Sequence, residues 1–248
     1  MDEKFYIPTK LLTDNNAKTI KGEKQGWKTF ILYMSPFNQN SQGINLCPHA
    51  SKGCSKACLF GSGRGSMSTV EKGRKNKTEM YLHDRTLFMN MLVKEITKHS
   101  KKFDKLAIRL NGTSDIRFEK LKVNGKTLMD LFPNVQFYDY TKNPFRFKSP
   151  LPKNYHLTFS RSEDNHEIAM ELLNKGINVA MVFDSLPKSF NGVEVINGDL
   201  SDLRFEDNKG VIVGLKYKKL TGKGVDNEEV FKSGFAIKTA DLEIKKVA

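Results

Sequence analysis

The sequence predicts a parallel α/β barrel, complete or partial, folded as one domain. Three observations carry the prediction. Short apolar runs rich in β-branched and aromatic residues recur from residue 105 to residue 215, with polar or helical stretches between them. Strands that are apolar on both faces and joined by crossovers belong in a parallel sheet. The 248 residues suffice for one such core. Polar and charged residues gather just after the apolar runs, and in parallel barrels the loops at the C-terminal strand ends carry the reactive groups.

Taken in order, residues 1–27 are polar, with Asn15-Asn16 and two glycines, and read as an entry arm. The first strand is expected over 27–34, ending at Ser35-Pro36. Residues 66–100 have the period of one long helix, with Val70, Tyr81, Leu82, Phe88, Met89, Leu92, Val93 and Ile96 three and four apart. Its exposed face is expected to be basic at the start, through Lys72, Arg74, Lys75 and Lys77. Further strands are expected over 105–110, 135–140, 155–160, 178–183 and 210–215, and a weaker one over 193–196. Arg161-Ser-Glu-Asp164 opens a helix that Gly176 closes. The barrel-like domain spans 28–240 and leaves a tail at 241–248.

Leu46-Cys-Pro-His-Ala-Ser-Lys-Gly-Cys-Ser-Lys-Ala-Cys-Leu59 follows the first strand and holds all three cysteines, Cys47, Cys54 and Cys58. Thiolates are the soft ligands that iron–sulphur clusters and zinc select, and thiols present only for packing would be scattered. Three thiolates can hold three irons of a 4Fe–4S cluster and leave the fourth open for a cofactor or substrate. Zinc is the alternative metal, with His49 completing a Cys3His tetrahedron. The single residue between Cys47 and His49 is short for a zinc knuckle, which favours iron. Together with Gly61-Ser-Gly-Arg-Gly65 the metal-binding loop spans 46–65, and there backbone N–H groups and Arg64 can meet an anion.

The second constellation is Asn111-Gly-Thr-Ser-Asp115-Ile-Arg117. A small-residue turn at a strand end lets backbone approach a ligand, and Asp115 with Arg117 offers a charged pair. A plain Asx turn is the competing reading. In the third, Asn197-Gly-Asp199-Leu-Ser-Asp202-Leu-Arg204, the charges can line a pocket or close a surface turn. Serine-elbow, Walker and zinc-deaminase patterns are absent from the sequence.

Lys and Arg number 41 against 28 Asp and Glu, a formal charge of +13. That surplus suits a polyanionic partner, a nucleic acid or nucleotide, and equally a lysine-decorated surface. The odd cysteine count argues against a disulphide framework, and no apolar run suggests a signal peptide or membrane span. A reducing cytoplasm and no membrane partner are therefore expected.

The cysteine block, Arg109-Leu-Asn-Gly-Thr-Ser-Asp-Ile-Arg117, Gly198-Asp-Leu-Ser-Asp-Leu-Arg-Phe205, Gly210-Val-Ile-Val-Gly-Leu215 and Ser233-Gly-Phe235 resemble the phage "gene product eighty-eight" family over about residues 28–238. The resemblance implies a phage or prophage origin, hence a host cytoplasm, and names no reaction. More distantly, the chain is similar to radical S-adenosylmethionine enzymes. That likeness implies a partial parallel barrel with a cluster on Cys47, Cys54 and Cys58 and Asn111, Gly112, Thr113 and Ser114 near the methionine end of S-adenosylmethionine. Asp115, Arg117 and Arg64 would be neighbours. The Cys-x6-Cys-x3-Cys spacing differs from the usual Cys-x3-Cys-x2-Cys of those enzymes, and Asn-Gly-Thr stands where they carry Gly-Gly-Glu.

Two functions follow as expectations. One is a radical S-adenosylmethionine-like enzyme acting on a nucleic acid or nucleotide, with a cavity at the strand ends reaching the cysteines. The other is a non-catalytic nucleic-acid-binding protein stapled by zinc or a cluster, with a filled barrel end and a flat basic surface.

Overall fold

The structure, a computed structural model, describes residues 6–14, 17–58, 63–220 and 226–241. The segment expected to be an entry arm supplies β1 (Leu12–Thr13) and α1 (Ala17–Glu23). Leu11 and Leu12 lie in the core, and their N–H groups donate to the Glu95 carboxylate at 2.6 and 2.9 Å. Two adjacent leucines are too short a run to signal a strand, so only their tertiary partner reveals them.

Every apolar run forms a strand close to its expected limits. These are β2 (Lys28–Leu32), β3 (Leu106–Arg109), β6 (Gln136–Thr141), β7 (Tyr155–Ser160), β8 (Val179–Phe183), β10 (Val193–Asn197) and β11 (Ile212–Lys216). Short pieces fall between them: the hairpin β4 (Lys122–Val123) and β5 (Lys126–Thr127), then β9 (Ser189–Phe190) and, late in the chain, β12 (Ala236–Ile237).

The main sheet runs β1-β2-β3-β6-β7-β8-β11-β10-β9, with β12 attached to β8. Pairing is parallel from β2 through to β10, and antiparallel only where β1 and β9 join its edges. β7 pairs with β8 only at Val179 and Ala180, while β12 pairs with Val182 and Phe183 farther along. β7 therefore ends beside the start of β8, and β12 takes the place next to the C-terminal half of β8. Arg161, just past β7, donates to the carbonyls of Gly234 and Phe235, which ties the two branches together. The path has two ends among the described residues, so the sheet is mixed α/β and mostly parallel, with no closed barrel.

The expected single helix over 66–100 is two: α3 (Ser68–His83) and α4 (Arg85–Ser100). Asp84 interrupts the ladder with φ −140°, and its carboxylate accepts from Leu87 N–H at 2.8 Å as the N-cap of α4. The apolar period continues across the break because both helices pack on one core, with Met80, Tyr81, Phe88, Met89, Leu92 and Ile96 buried. The expected helix after Arg161 is α6 (His166–Asn174), and Gly176 N–H bonds Leu173 O at its end. The short helices are α2 (Lys52–Lys56), α5 (Leu128–Leu131) and α7 (Glu228–Lys232). Among the described residues no helix is long and apolar enough to cross a membrane.

The third constellation divides: residues 197–200 make a turn with Asn197 and Leu200 exposed, while Asp202 and Arg204 are interior. Asp202 and Arg204 are each 1 % exposed. Asp202 meets Arg109 at 3.2 Å and the Tyr138 hydroxyl at 3.0 Å, both on central strands. Trp27 Nε1 donates to Glu206 at 2.5 Å and packs edge-on to Phe205, so the segment after β10 reaches across to the start of β2.

Candidate functional site

A cavity of about 240 Å³ opens at the C-terminal ends of the parallel strands. Arg109, Tyr140, Ser160, Val182, Asp199 and Leu215 border it, one from or just after each of β3, β6, β7, β8, β10 and β11. Six flat strands at ~4.8 Å spacing would span ~24 Å, far too wide to share one such cavity, so the sheet curls around it. Cys47, Cys54 and Cys58 all border the same space.

The cysteine loop is held along its length. Leu46 N–H donates to Phe37 O at 3.0 Å, and Leu46 O accepts from Asp115 N–H at 2.9 Å. Ser51 is the N-cap of α2, its hydroxyl oxygen accepting from Cys54 N–H at 3.0 Å. Glu163, following β7, accepts from the Ser51 hydroxyl at 2.8 Å and from Gly53 N–H at 2.6 Å. A Cβ on Gly53 would come within 2.6 Å of Phe235 Cβ and 2.7 Å of both Glu163 and Ser233. Only glycine allows these three segments to meet. Lys56 pairs with Glu229 of α7 at 2.6 Å, and Cys54 and Ala57 pack with Val230 and Phe235.

The loop 111–117 is a rigid cradle. Asn111 accepts from the Ser114 hydroxyl at 2.9 Å and Ile116 N–H at 2.8 Å, and donates to Asp139 through its backbone N–H at 2.6 Å and Nδ2 at 3.1 Å. The Asn111 side chain thus closes the loop across to Ile116, and Asn111, Gly112, Thr113, Ser114 and Asp115 border the cavity. Gly112 sits where a Cβ would strike the Tyr33 ring at 2.6 Å. Thr113 O lies 3.5 Å from Cys47 Sγ and can accept from the thiol.

The expected Asp115–Arg117 pair is not formed. Asp115 is bonded by Arg146 at 2.9 Å, the Thr141 hydroxyl at 2.8 Å and Lys142 N–H at 2.9 Å. Arg117 turns to Glu119 at 3.4 Å and does not border the cavity. Buried Arg146 takes the place expected of Arg117, and it also engages Glu119 at 2.8 Å and the Tyr155 hydroxyl at 2.6 Å. Behind it, Asp139 is fully buried, and burial raises its carboxyl to about 6 against Arg146, Tyr155 and Asn111.

The three cysteines form no disulphide. Burial pushes the Cys47 thiol up to about 12 and also raises Cys54, partly opposed by Lys142. Among the described residues no three His, Cys, Asp or Glu side chains gather closely enough to hold one metal ion. His49 is exposed, 6.4 Å from the Phe145 ring, and does not border the cavity. Arg64 lies on the turn Gly63–Ser66, but its side chain, like residues 59–62, is outside the described residues.

The basic face expected at the start of the helix is split. Lys72 and Lys75 are exposed, but Arg74 and Lys77 are 5 % and 8 % exposed. Arg74 donates to Gly65 O at 2.8 Å, and burial lowers Lys77 to about 8. Both belong to the stripe that also buries Thr78 and Tyr81, so the helix turns them inward.

Lys142, Ser160, Lys216 and Lys218 also border the cavity. Lys142 Nζ donates to the Ser160 hydroxyl at 2.6 Å and lies 5.4 Å from the centre of the Phe235 ring. The strand-end rule marks Lys142, Ser160, Lys216 and Tyr217, whereas nothing local marks Phe235 or the clamp made by Glu163.

The chain matches the family model described as Gene product 88 over residues 4–235. No curated protein and no solved structure matches it.

Proposed function

The chain belongs to the phage Gene product 88 family, and from that premise we propose that it is an iron–sulphur enzyme of radical S-adenosylmethionine-like type, built on a partial barrel and acting on a nucleotide or nucleic acid. The observation that carries this reading is the cavity at the strand ends bordered by all three thiols.

The donor set fits a 4Fe–4S group. Cys47, Cys54 and Cys58 would hold three irons, and the chain offers no fourth thiol for the remaining one. His49, which zinc would need as a fourth ligand, is exposed and does not border the cavity, and this supports the cluster over zinc. When bound, such a group supplies single electrons to a cofactor or substrate at the open iron.

The chain's own residues do the rest. Glu163 and the Leu46 backbone hold the thiols in place from two sides. Phe37 and Phe235 exclude water, while Lys142 and Ser160 offer donors to a bound molecule. A metal-stapled nucleic-acid binder would call for a filled barrel end and a flat basic face. The open cavity and the inward Arg74 and Lys77 support the enzyme instead.

The test is anaerobic purification with assay of iron, sulphide and zinc, then titration of the reduced protein with S-adenosylmethionine under electron spin resonance. Iron and sulphide are expected in equal amounts, lost in the Cys47→Ser, Cys54→Ser and Cys58→Ser variants, with a spectrum that changes on addition of the cofactor. Stoichiometric zinc without iron would overturn the cluster, and a spectrum indifferent to the cofactor would overturn the S-adenosylmethionine part.

A further inference from the structure

The charges bordering the cavity do not balance. Arg109, Lys142, Lys216 and Lys218 face Asp115 and Asp199. Two of these already have buried partners, Arg109 in Asp202 at 3.2 Å and Asp115 in Arg146 at 2.9 Å. What remains is Lys142, Lys216 and Lys218 against Asp199, whose carboxylate accepts from Lys216 N–H at 2.9 Å. The lysines come from two strand ends, Lys142 just past β6 and Lys216 and Lys218 at the end of β11 and beyond, so the excess is a property of the cavity and not of one loop.

We propose that this end of the cavity is a phosphate site, and that the substrate is a small phosphate-bearing molecule of mononucleotide size rather than a nucleic acid. The inference narrows the substrate of the enzyme proposed above and rests on that reading. Ammonium groups with a hydroxyl beside them, here Lys142 with Ser160, suit a phosphate's several acceptor oxygens. Tyr140, Tyr217 and Phe235 give the same cavity flat apolar walls for the rest of such a molecule. Size argues the same way: about 240 Å³ lies just below the usual ~300–1,000 Å³ of ligand pockets, room for one small molecule and none for a duplex. The start of α3, where a polymer was expected to lie, keeps only Lys72 and Lys75 at the surface, since Arg74 and Lys77 are buried.

The experiment is equilibrium binding of adenosine 5′-monophosphate, adenosine and a single-stranded oligonucleotide, on chelator-treated protein and again on protein prepared without oxygen. The monophosphate is expected to bind in both preparations and to weaken as salt rises, and adenosine is expected to bind far less. Lys142→Ala should weaken the monophosphate about tenfold to a hundredfold. The Lys216→Ala/Lys218→Ala double variant alters exposed side chains and leaves the fold intact, and should weaken it several-fold, while Lys126→Ala on the distant β4–β5 hairpin should change nothing. Equal binding of adenosine and its monophosphate overturns the site, as does monophosphate binding indifferent to all three lysines. Oligonucleotide binding that depends on Lys142 without monophosphate binding overturns it in favour of a polymer. Monophosphate binding by protein that holds no iron even when prepared without oxygen supports the site and sinks the cluster; iron in that preparation without monophosphate binding does the reverse.

Discussion

Replacing Glu163 tests how the cysteine loop is held without depending on any metal. In Glu163→Ala the Ser51 hydroxyl and Gly53 N–H lose a carboxylate partner at 2.8 and 2.6 Å, and Ser51 is the cap on which α2 begins. Hydrogen bonds to a charged group contribute about 1.5–3 kcal/mol each, but Glu163 is half-buried and water replaces part of both. About 2–3 kcal/mol therefore remains as the loss to the loop's closed state. That corresponds to a rise of roughly 30- to 150-fold in the open fraction, at 1.4 kcal/mol per tenfold. The assay is labelling of Cys47, Cys54 and Cys58 with a thiol reagent in chelator, followed residue by residue. Labelling of Cys54 is expected to accelerate by that factor, and Glu163→Gln, which keeps one acceptor oxygen, should fall between the two. If Cys54 labels at the wild-type rate while the urea midpoint falls, Glu163 supports the fold at large and the reasoning about the loop is wrong.

Other outcomes follow from the same geometry. Arg146→Met strands Asp115 and Glu119 without their shared cation, and should cost about 3–5 kcal/mol, lowering Tm by roughly 6–20 °C in calorimetry. Asp139 has a folded value of about 6 against an unfolded 3.8, so its contribution to stability is full below the lower value and is lost as pH rises through the higher. Urea midpoints across that window should slope less in Asp139→Asn than in the wild type, and equal slopes would contradict the assignment. Gly112→Ala places a methyl 2.6 Å from the Tyr33 ring and should destabilise by about 1–3 kcal/mol as overpacking, read as a lower urea midpoint. Asp84→Ala removes the cap between α3 and α4 at about 1 kcal/mol, read by the same midpoint.

The strands were legible because residues buried on both faces leave a dense apolar signature that needs no partner to be recognised. Tyr155–Ser160 matches its expected limits to the residue. Strands of two residues carry no such signature, and β1 and β12 exist because β2 and β8 are there to receive them. The break at Asp84 was hidden by an apolar period that crosses it, although Asp is a residue type that favours the N-cap position. Lys77 was misread by charge alone, when its spacing to Arg74 and Tyr81 already put all three on one helix face. In the site, the cysteines and the 111–115 turn were visible because their chemistry is local. Glu163 stands in the strand-end loop 160–163 that the strand-end rule marks, but its hold on the cysteine loop was not visible, nor were Arg146 and Phe235, since each acts on a residue far away in sequence.

The clamp on the cysteine loop also sets a schedule. Cys58 leaves the ribosome early, but Phe235, which closes against Gly53, comes some 180 residues later, and at ~5–20 residues per second that is an interval of roughly 10 to 35 s. Throughout it the thiols stand beside a cavity that has not yet formed, open to oxidants and to any passing metal. In the enzyme proposed above, the cluster would therefore be acquired either before that closure, on an open loop, or after the last strand has docked, through the cavity.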